Sequence, residues 1–148
     1  MAVTPEAPTK TPWHLWVVGV LTLVWNAVGA FDFVMTQTQN EAYMKAFTPE
    51  QLEYFYSFPS WVVLCWGIAT WGALIGSMLL LLRNRLAHPV FLVSFLAMVI
   101  TTIHNFVLSD GLQVMGGIGV VIFSAVIFVV ALLLVIYAKA MRRRGVLK

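Results

Sequence analysis

The side chains of this sequence that could do chemistry are few, and most of them interrupt long apolar stretches. Asn26, Thr101, His104 and Asn105 lie inside such stretches, and Asp32 lies near the end of the first one. Amide, hydroxyl and imidazole groups can hydrogen-bond a polar solute, and polar residues in apolar segments are costly enough to be functional candidates. His104 and Asp32 could also form an acid–base pair if the fold brought them within hydrogen-bond distance.

Aromatic side chains accompany these polar groups. Trp61, Trp66 and Trp71 recur along one apolar stretch, and their ring faces could stack on the C–H face of a sugar or on another ring. The combination predicts a solute-binding cavity with substrate contacts from Asn26, Asp32, Trp66, Trp71, Thr101, His104 and Asn105. The alternative is structural, because polar residues commonly form interhelical hydrogen bonds and tryptophans near span ends are interface anchors.

Other site chemistries are excluded or only weakly indicated. The single cysteine, Cys65, excludes an intramolecular disulfide and a CxxC redox pair. Histidines and carboxylates do not recur at metal-ligand spacing, so no metal site is predicted. His14 and His88 could approach each other as haem ligands, but each fits a headgroup-level histidine, and we expect no cofactor. Basic and aromatic residues do not form the patch that nucleic-acid binding needs.

The elements that must position these residues are membrane-spanning helices. Of the 148 residues, 61% are hydrophobic and 10% are charged. A soluble domain of this length could not bury so much apolar surface, so much of it must face the lipid bilayer. About 20 apolar residues cross the hydrocarbon core as a helix. We therefore predict an all-α fold with four spans near residues 13–35, 59–82, 89–108 and 114–138.

The domain organisation follows from these spans. Residues 1–12 are proline-rich and without apolar periodicity, and they are predicted to be a flexible cytoplasmic tail. Residues 13–141 form a single membrane domain, and residues 142–148 form a basic cytoplasmic tail. The first span is longer than the apolar core of a secretory signal, so we expect it to remain uncleaved.

The basic residues predict an orientation. Lys10, Arg83, Arg85 and the basic residues of 139–148 flank one set of span ends, whereas Lys45 alone lies in the opposite loops. By the positive-inside rule, both termini are cytoplasmic. Short loops between the later spans predict an up-down-up-down four-helix bundle.

Two local motifs add detail. The residues Thr48-Pro49-Glu50-Gln51 combine an N-cap threonine, a proline at the first helical position and a capping-box glutamine. They predict a short helix, extending through Phe58, in the outer loop between the first two spans. Its aromatic residues suit either the membrane interface or a cover over the outer end of the bundle. Gly72-Ala-Leu-Ile-Gly76 is a GxxxG element, which allows a close helix approach either within the bundle or between copies.

The chain resembles a known group of proteins, most clearly in its N-terminal part. The segments TPWHLWVVG (11–19), WNAVGAFD (25–32), MTQTQNEAY (35–43) and FTPEQ (47–51) resemble uncharacterised small four-helix inner-membrane proteins of alphaproteobacteria that are often labelled sugar transporters. The resemblance covers most of the chain and is densest in its first 60 residues. It implies a solute-transport role, and it assigns no site residue because the group has no established site.

These observations together predict a small multi-pass inner-membrane protein, expected as a homo-oligomer because four short spans enclose little space. The predicted role is transporter-like or is binding of a polar, sugar-like solute through an outward-facing cavity, and such a role is favoured over catalysis. The alternative is an accessory or scaffold subunit of a larger membrane complex, with no ligand of its own.

Overall fold

The computed structural model describes residues 9–148, and all regular secondary structure within that range is helical. The predicted all-α fold is confirmed for this part of the chain, whereas most of the predicted N-terminal tail, residues 1–8, lies outside it. The helices are α1 (Trp13–Gln37), α2 (Glu41–Met44), α3 (Pro49–Tyr56), α4 (Ser60–Leu81), α5 (Ala87–Ile103), α6 (Gly111–Met115) and α7 (Ile118–Arg143), and a π-helical turn (His104–Leu108) extends α5.

Four of these helices are long and apolar enough to cross a membrane. They are α1, α4, α5 with its π-helical turn, and α7, of 25, 22, 22 and 26 residues. The first three agree with the predicted spans to within two residues. The fourth spans Ile118–Arg143 rather than residues 114–138. It begins later because Gly116 and Gly117 adopt positive φ angles of 104° and 84° that separate α6 from α7.

The two central helices of the bundle are α4 and α5. Helix α4 contacts α1 on one side and α5 on the other, and α5 in turn contacts α7. Between α1 and α7, ring contacts join Trp25 to Phe123 and His14 to Tyr137. The order around the bundle is therefore α1, α4, α5, α7.

Small residues bring α4 and α5 close together. A Cβ atom added to Gly76 would lie 2.6 Å from Cδ1 of Phe91, and one added to Gly72 would lie 3.1 Å from Cβ of Ser94. Both neighbours belong to α5. Helix association in lipid depends on such close packing, because apolar side chains gain little by leaving a lipid environment. The GxxxG element thus serves packing inside the bundle, which is one of the two alternatives that the sequence left open.

A hydrophobic core fills one end of the bundle, and the chain after α7 contributes to it. Val146 and Leu147 are buried in this core beside residues of α1, α4, α5 and α7. The backbone N–H of Lys148 donates to the carbonyl of Arg83 at 2.7 Å, and that of Arg85 donates to the carbonyl of Lys148 at 3.1 Å. Residues 142–148 are predicted from the sequence as a tail. In the structure, the first two complete the C-terminal end of α7, and the residues that follow pack back against the α4–α5 loop.

We call this end of the bundle, where the α4–α5 loop meets residues 145–148, the basic end. The opposite end is the cap end, and it carries α2, α3, α6 and the π-helical turn. Arg83 Nη1 donates to Thr11 Oγ1 at 2.9 Å, which places the chain before α1 at the basic end as well.

Candidate functional site

The short helix α3 is fixed by its N-terminus. Thr48 Oγ1 accepts from the backbone N–H of Gln51 at 3.2 Å, and Gln51 Oε1 accepts from the backbone N–H of Thr48 at 3.1 Å. The predicted capping box is confirmed, but the helix ends at Tyr56 rather than Phe58, because the residue before Pro59 disfavours helical backbone angles. Gln51 Nε2 also donates to the carbonyl of Val114 at 3.4 Å, which joins α3 to α6.

The membrane-crossing part of α5 ends in an unusual backbone conformation. Residues His104–Leu108 form a π-helical turn, and Ser109 Oγ donates to the carbonyl of His104 at 2.9 Å. Single π-helical turns are rare and occur frequently at functional sites.

Tyr54 of α3 joins the cap to this turn. Its hydroxyl lies 2.8 Å from Ser109 Oγ and donates to Asn105 Oδ1 at 3.2 Å. Burial raises the pKa of the Tyr54 phenol, an effect that the negative charge of Asp110 adds to and the hydrogen bond with Ser109 opposes. The phenol therefore stays protonated and able to donate at neutral pH.

The amide of Asn105 has one group engaged and one free. His104 Nδ1 lies 3.3 Å from the same Oδ1 atom that accepts from Tyr54. Within residues 9–148, the Nδ2 group of Asn105 has no acceptor. Since every buried side-chain N or O atom in the described range has a partner, this free N–H group must be accessible.

His104 lies behind Asn105 in an aromatic environment. Its side chain is buried, and its ring packs edge-on against Phe58 at 5.6 Å and against Trp61 at 5.5 Å between centroids. These contacts and the Nδ1 contact hold the imidazole in place. His104 therefore supports the Asn105 amide rather than lining the open space beside it.

A cavity of about 190 Å³ lies beneath these groups. Helices α3 and α6 cover it, and α4, α5 and α7 form its walls. Its lining residues are Tyr54, Phe55, Phe58, Trp66, Thr101, Asn105, Phe106, Gly111, Met115, Val120 and Ser124. None of these side chains is charged, and most are aromatic or aliphatic. A mostly apolar lining with a few polar groups is typical of small-molecule sites, although sites for drug-sized ligands are larger, from about 300 Å³ upwards.

The polar groups of the cavity differ in what they can still bind. Thr101 Oγ1 donates to the carbonyl of Ala97 at 2.9 Å, so its hydroxyl is left only as an acceptor. Ser124 Oγ has no hydrogen-bond partner in the described part of the chain, and neither does the Nδ2 group of Asn105. Two donors, one on α5 and one on α7, are therefore available to a molecule in the cavity.

Besides His104, three other sequence-predicted site residues do not line this cavity. Asn26 is buried between α1 and α4, where its Nδ2 group donates to Ser77 Oγ at 2.9 Å and to the carbonyl of Ala73 at 3.2 Å. This arrangement matches the structural alternative for a polar residue in a span. Trp71 is 42% exposed and lines an open apolar groove along α4.

The third of these residues, Asp32, accepts a hydrogen bond from the hydroxyl of Tyr43, and so it ties α1 to α2. Burial, that hydrogen bond and the negative charge of Asp32 raise the pKa of Tyr43 to about 12. Asp32 and His104 thus have separate partners, and no hydrogen bond joins them. The acid–base pair considered from the sequence is not formed.

The structure therefore brings Trp66, Thr101 and Asn105 together at the cavity, and His104 packs behind Asn105. Two further residues of the site, Ser124 and Tyr54, were not predicted from the sequence. Ser124 could have been found as the only serine of α7, in the middle of a long apolar run. Tyr54 belongs to a loop helix, and nothing in the sequence links it to Asn105, because that contact depends on how α3 folds over the cap end.

Within the described residues, no three His, Cys, Asp or Glu side chains come together as metal ligands. His14 Nδ1 lies 2.6 Å from the hydroxyl of Tyr137.

Comparisons with protein families, with curated proteins and with solved structures find no match to this chain.

Proposed function

We propose that this protein is a multi-pass inner-membrane protein that binds a small solute in the cavity at its cap end. The observation that carries the proposal is a cavity with aromatic rings in its lining at which Asn105 Nδ2 and Ser124 Oγ have no hydrogen-bond partner among residues 9–148. Both donors are accessible at one cavity, and such convergent polar groups in an apolar lining favour an occupant that pairs with them. Transport, which the resemblance of the sequence implies, would in addition require the packed basic end to open.

The proposal includes an orientation, with the cap end outside the cell. The basic end carries Arg83, Arg85 and Lys148, whereas acidic residues such as Glu50 and Asp110 lie at the cap end. This distribution supports cytoplasmic termini under the positive-inside rule, with the spans running up-down-up-down. Helix α3 would then lie at the outer interface, where its aromatic residues are favourable.

The proposal is tested by comparing variants at two asparagines. Protein purified in a mild detergent is analysed for a bound small molecule by native mass spectrometry. We expect the wild type and Asn26→Leu to retain the same molecule, and Asn105→Leu to lose it. Trp71→Phe is a second control, because it changes the exposed face of α4 without touching the cavity or a buried hydrogen bond. An equally occupied Asn105→Leu variant, or a wild type without any bound small molecule, would contradict the proposal.

A scaffold role is the second candidate, and the exposed face of α4 favours it. Large apolar side chains, each at least 39% exposed, recur there at spacings of three and four residues: Trp61, Leu64, Ile68, Trp71, Ile75 and Met78. This spacing matches the seam of a helix pair. The indole N–H of Trp71, near the middle of the span, has no acceptor in the described part of the chain.

A helix from a second copy, as in a homo-oligomer, or from another subunit of a membrane complex would cover this face of α4. The same mass measurement separates the two candidates. A stoichiometric protein partner with no small molecule bound favours the scaffold role, whereas a bound small molecule that Asn105→Leu removes favours the binding role.

A further inference from the structure

The hydrogen-bonding capacity of the cavity restricts the chemical class of its ligand. The free groups are the Nδ2 donor of Asn105, the hydroxyl of Ser124 and the acceptor side of the Thr101 hydroxyl. A monosaccharide carries several hydroxyl groups, more than these three side chains can pair. Each buried hydroxyl without a partner weakens binding by roughly tenfold or more. The absence of charge in the lining also disfavours an ionic ligand, since a buried charge needs a partner.

The aromatic walls suit a ring instead. Trp66 packs edge-on against Phe33 at 5.0 Å between centroids, and Tyr54 packs edge-on against Phe58, also at 5.0 Å. These contacts hold the rings in defined orientations at the cavity. A planar or cyclohexane-like ring can fill such a space with apolar contact, and it leaves only one or two polar groups to be satisfied.

The depth of the cavity indicates where the ligand comes from. Ser124 is the seventh residue of α7, so it lies about 9 Å along the helix from Ile118. Thr101 precedes the π-helical turn by three residues, so it also lies below the end of its helix. These lining groups therefore lie below the helix ends, inside the apolar stretches that are long enough to cross a membrane.

The wall formed by α7 is thinly packed at this depth. The buried residues of α7 begin only at Leu134, and Ile122 and Phe123 are each 59% exposed. A Cβ atom added at Gly117 or Gly119 would meet nothing within 4 Å, so there is open space beside the cap-side turn of α7. A molecule dissolved in the outer leaflet is therefore separated from the cavity by a single helix that has few fixed contacts there.

We propose that the ligand is an uncharged, lipid-soluble ring compound with one or two hydrogen-bond acceptors, such as carbonyl oxygens, taken up from the outer leaflet. Its ring lies against the aromatic wall that includes Trp66 and Phe58, and its acceptor receives hydrogen bonds from Asn105 Nδ2 and Ser124 Oγ. This inference rests on the proposed binding function and specifies its ligand.

Three probes of known composition test the class of ligand. They are 4-butylcyclohexanone, butylcyclohexane, which has the same shape without the acceptor, and glucose. Binding to the purified protein is measured from the rise in unfolding temperature with probe concentration. We expect the ketone to bind most tightly and glucose not to bind. Ser124→Ala should weaken ketone binding about five- to tenfold and leave hydrocarbon binding unchanged. Ser60→Ala, an exposed serine on α4, should change neither.

The outcomes separate this inference from the proposed function. Glucose binding that Ser124→Ala weakens, with no ketone binding, would overturn the ligand class and leave a solute site in the cavity. Equal binding of ketone and hydrocarbon, insensitive to Ser124→Ala, would overturn the role of the two donors. If no probe binds and the purified protein carries no small molecule, both the inference and the proposed function fail.

Discussion

The substitution Gly111→Ala tests how closely α3 and α6 pack where they cover the cavity. Gly111 begins α6, and a Cβ atom there would contact the backbone carbonyl oxygen of Asn105 and lie 2.6 Å from the hydroxyl of Tyr54. Real Cβ atoms essentially never approach another heavy atom within 3.0 Å. In Gly111→Ala, therefore, either Tyr54 moves away from its partners or the π-helical turn shifts.

The expected cost has two parts. Overpacking at a tightly filled position costs about 1–3 kcal/mol. Moving Tyr54 also removes its hydrogen bonds to Asn105 and Ser109, each contributing about 0.5–1.5 kcal/mol. Since such contributions are not fully additive, we expect Gly111→Ala to lower the free energy of unfolding by about 2–4 kcal/mol. The same shift would displace the Asn105 amide and abolish ligand binding.

The matched control is Gly119→Ala in α7. A Cβ atom there meets nothing within 4 Å, and alanine is favoured over glycine in a helix by up to about 1 kcal/mol. Unfolding of both variants is followed by tryptophan fluorescence during titration of mixed micelles with a denaturing detergent. If Gly111→Ala unfolds at the same detergent fraction as the wild type or at a higher one, as Gly119→Ala is expected to do, then Gly111 is not tightly packed against Asn105 and Tyr54, and the prediction is wrong.

Three further predictions concern the surrounding elements. Asn26→Leu should destabilise the bundle by about 1–3 kcal/mol, because two interhelical hydrogen bonds are lost, and unchanged unfolding would contradict this. Tyr43 should titrate near pH 12, measured as the 295 nm absorbance difference from a Tyr43→Phe variant, and Asp32→Asn should lower that pKa towards 10. Because folding raises the pKa of Tyr43, its contribution to stability is complete below pH 10 and is lost between pH 10 and 12. If Asp32→Asn leaves the titration of Tyr43 unchanged, the contact between Asp32 and Tyr43 is refuted. Thr48→Ala should cost about 1 kcal/mol and increase hydrogen exchange in α3, whereas unchanged exchange would show that the capping box does not hold this helix.

The elements of the fold follow from local features of the sequence. The lengths of the apolar runs predict the positions of the spans, and the N-terminus of α3 follows from Thr48, Pro49 and Gln51, since a capping box is complete within four residues. The start of α7 was misplaced by four residues. Gly116 and Gly117 could have continued a helix or broken it, and only their positive φ angles decide between the two.

Which residues belong to the site cannot be deduced from the sequence, because this depends on which neighbour each polar side chain faces. Asn26 and Asn105 are the same residue type, each within a span, yet one donates to α4 and the other has a free donor at a cavity. Which of these occurs depends on helix rotation and crossing angle. The π-helical turn changes the helical register at His104 and Asn105, and apolar periodicity carries no signal for such a turn.

The central claim is that the cap half of the bundle encloses an accessible cavity lined by Ser124. The most direct measurement is the reaction of single cysteines with a small neutral thiol reagent, methyl methanethiosulfonate, in membranes of a Cys65→Ala background. The control is Ser94→Cys, because Ser94 is buried and donates to the carbonyl of Ala69 at 2.6 Å. We expect Ser124→Cys to react and Ser94→Cys to remain unmodified. An unreactive Ser124→Cys would show a closed, packed core and contradict the account.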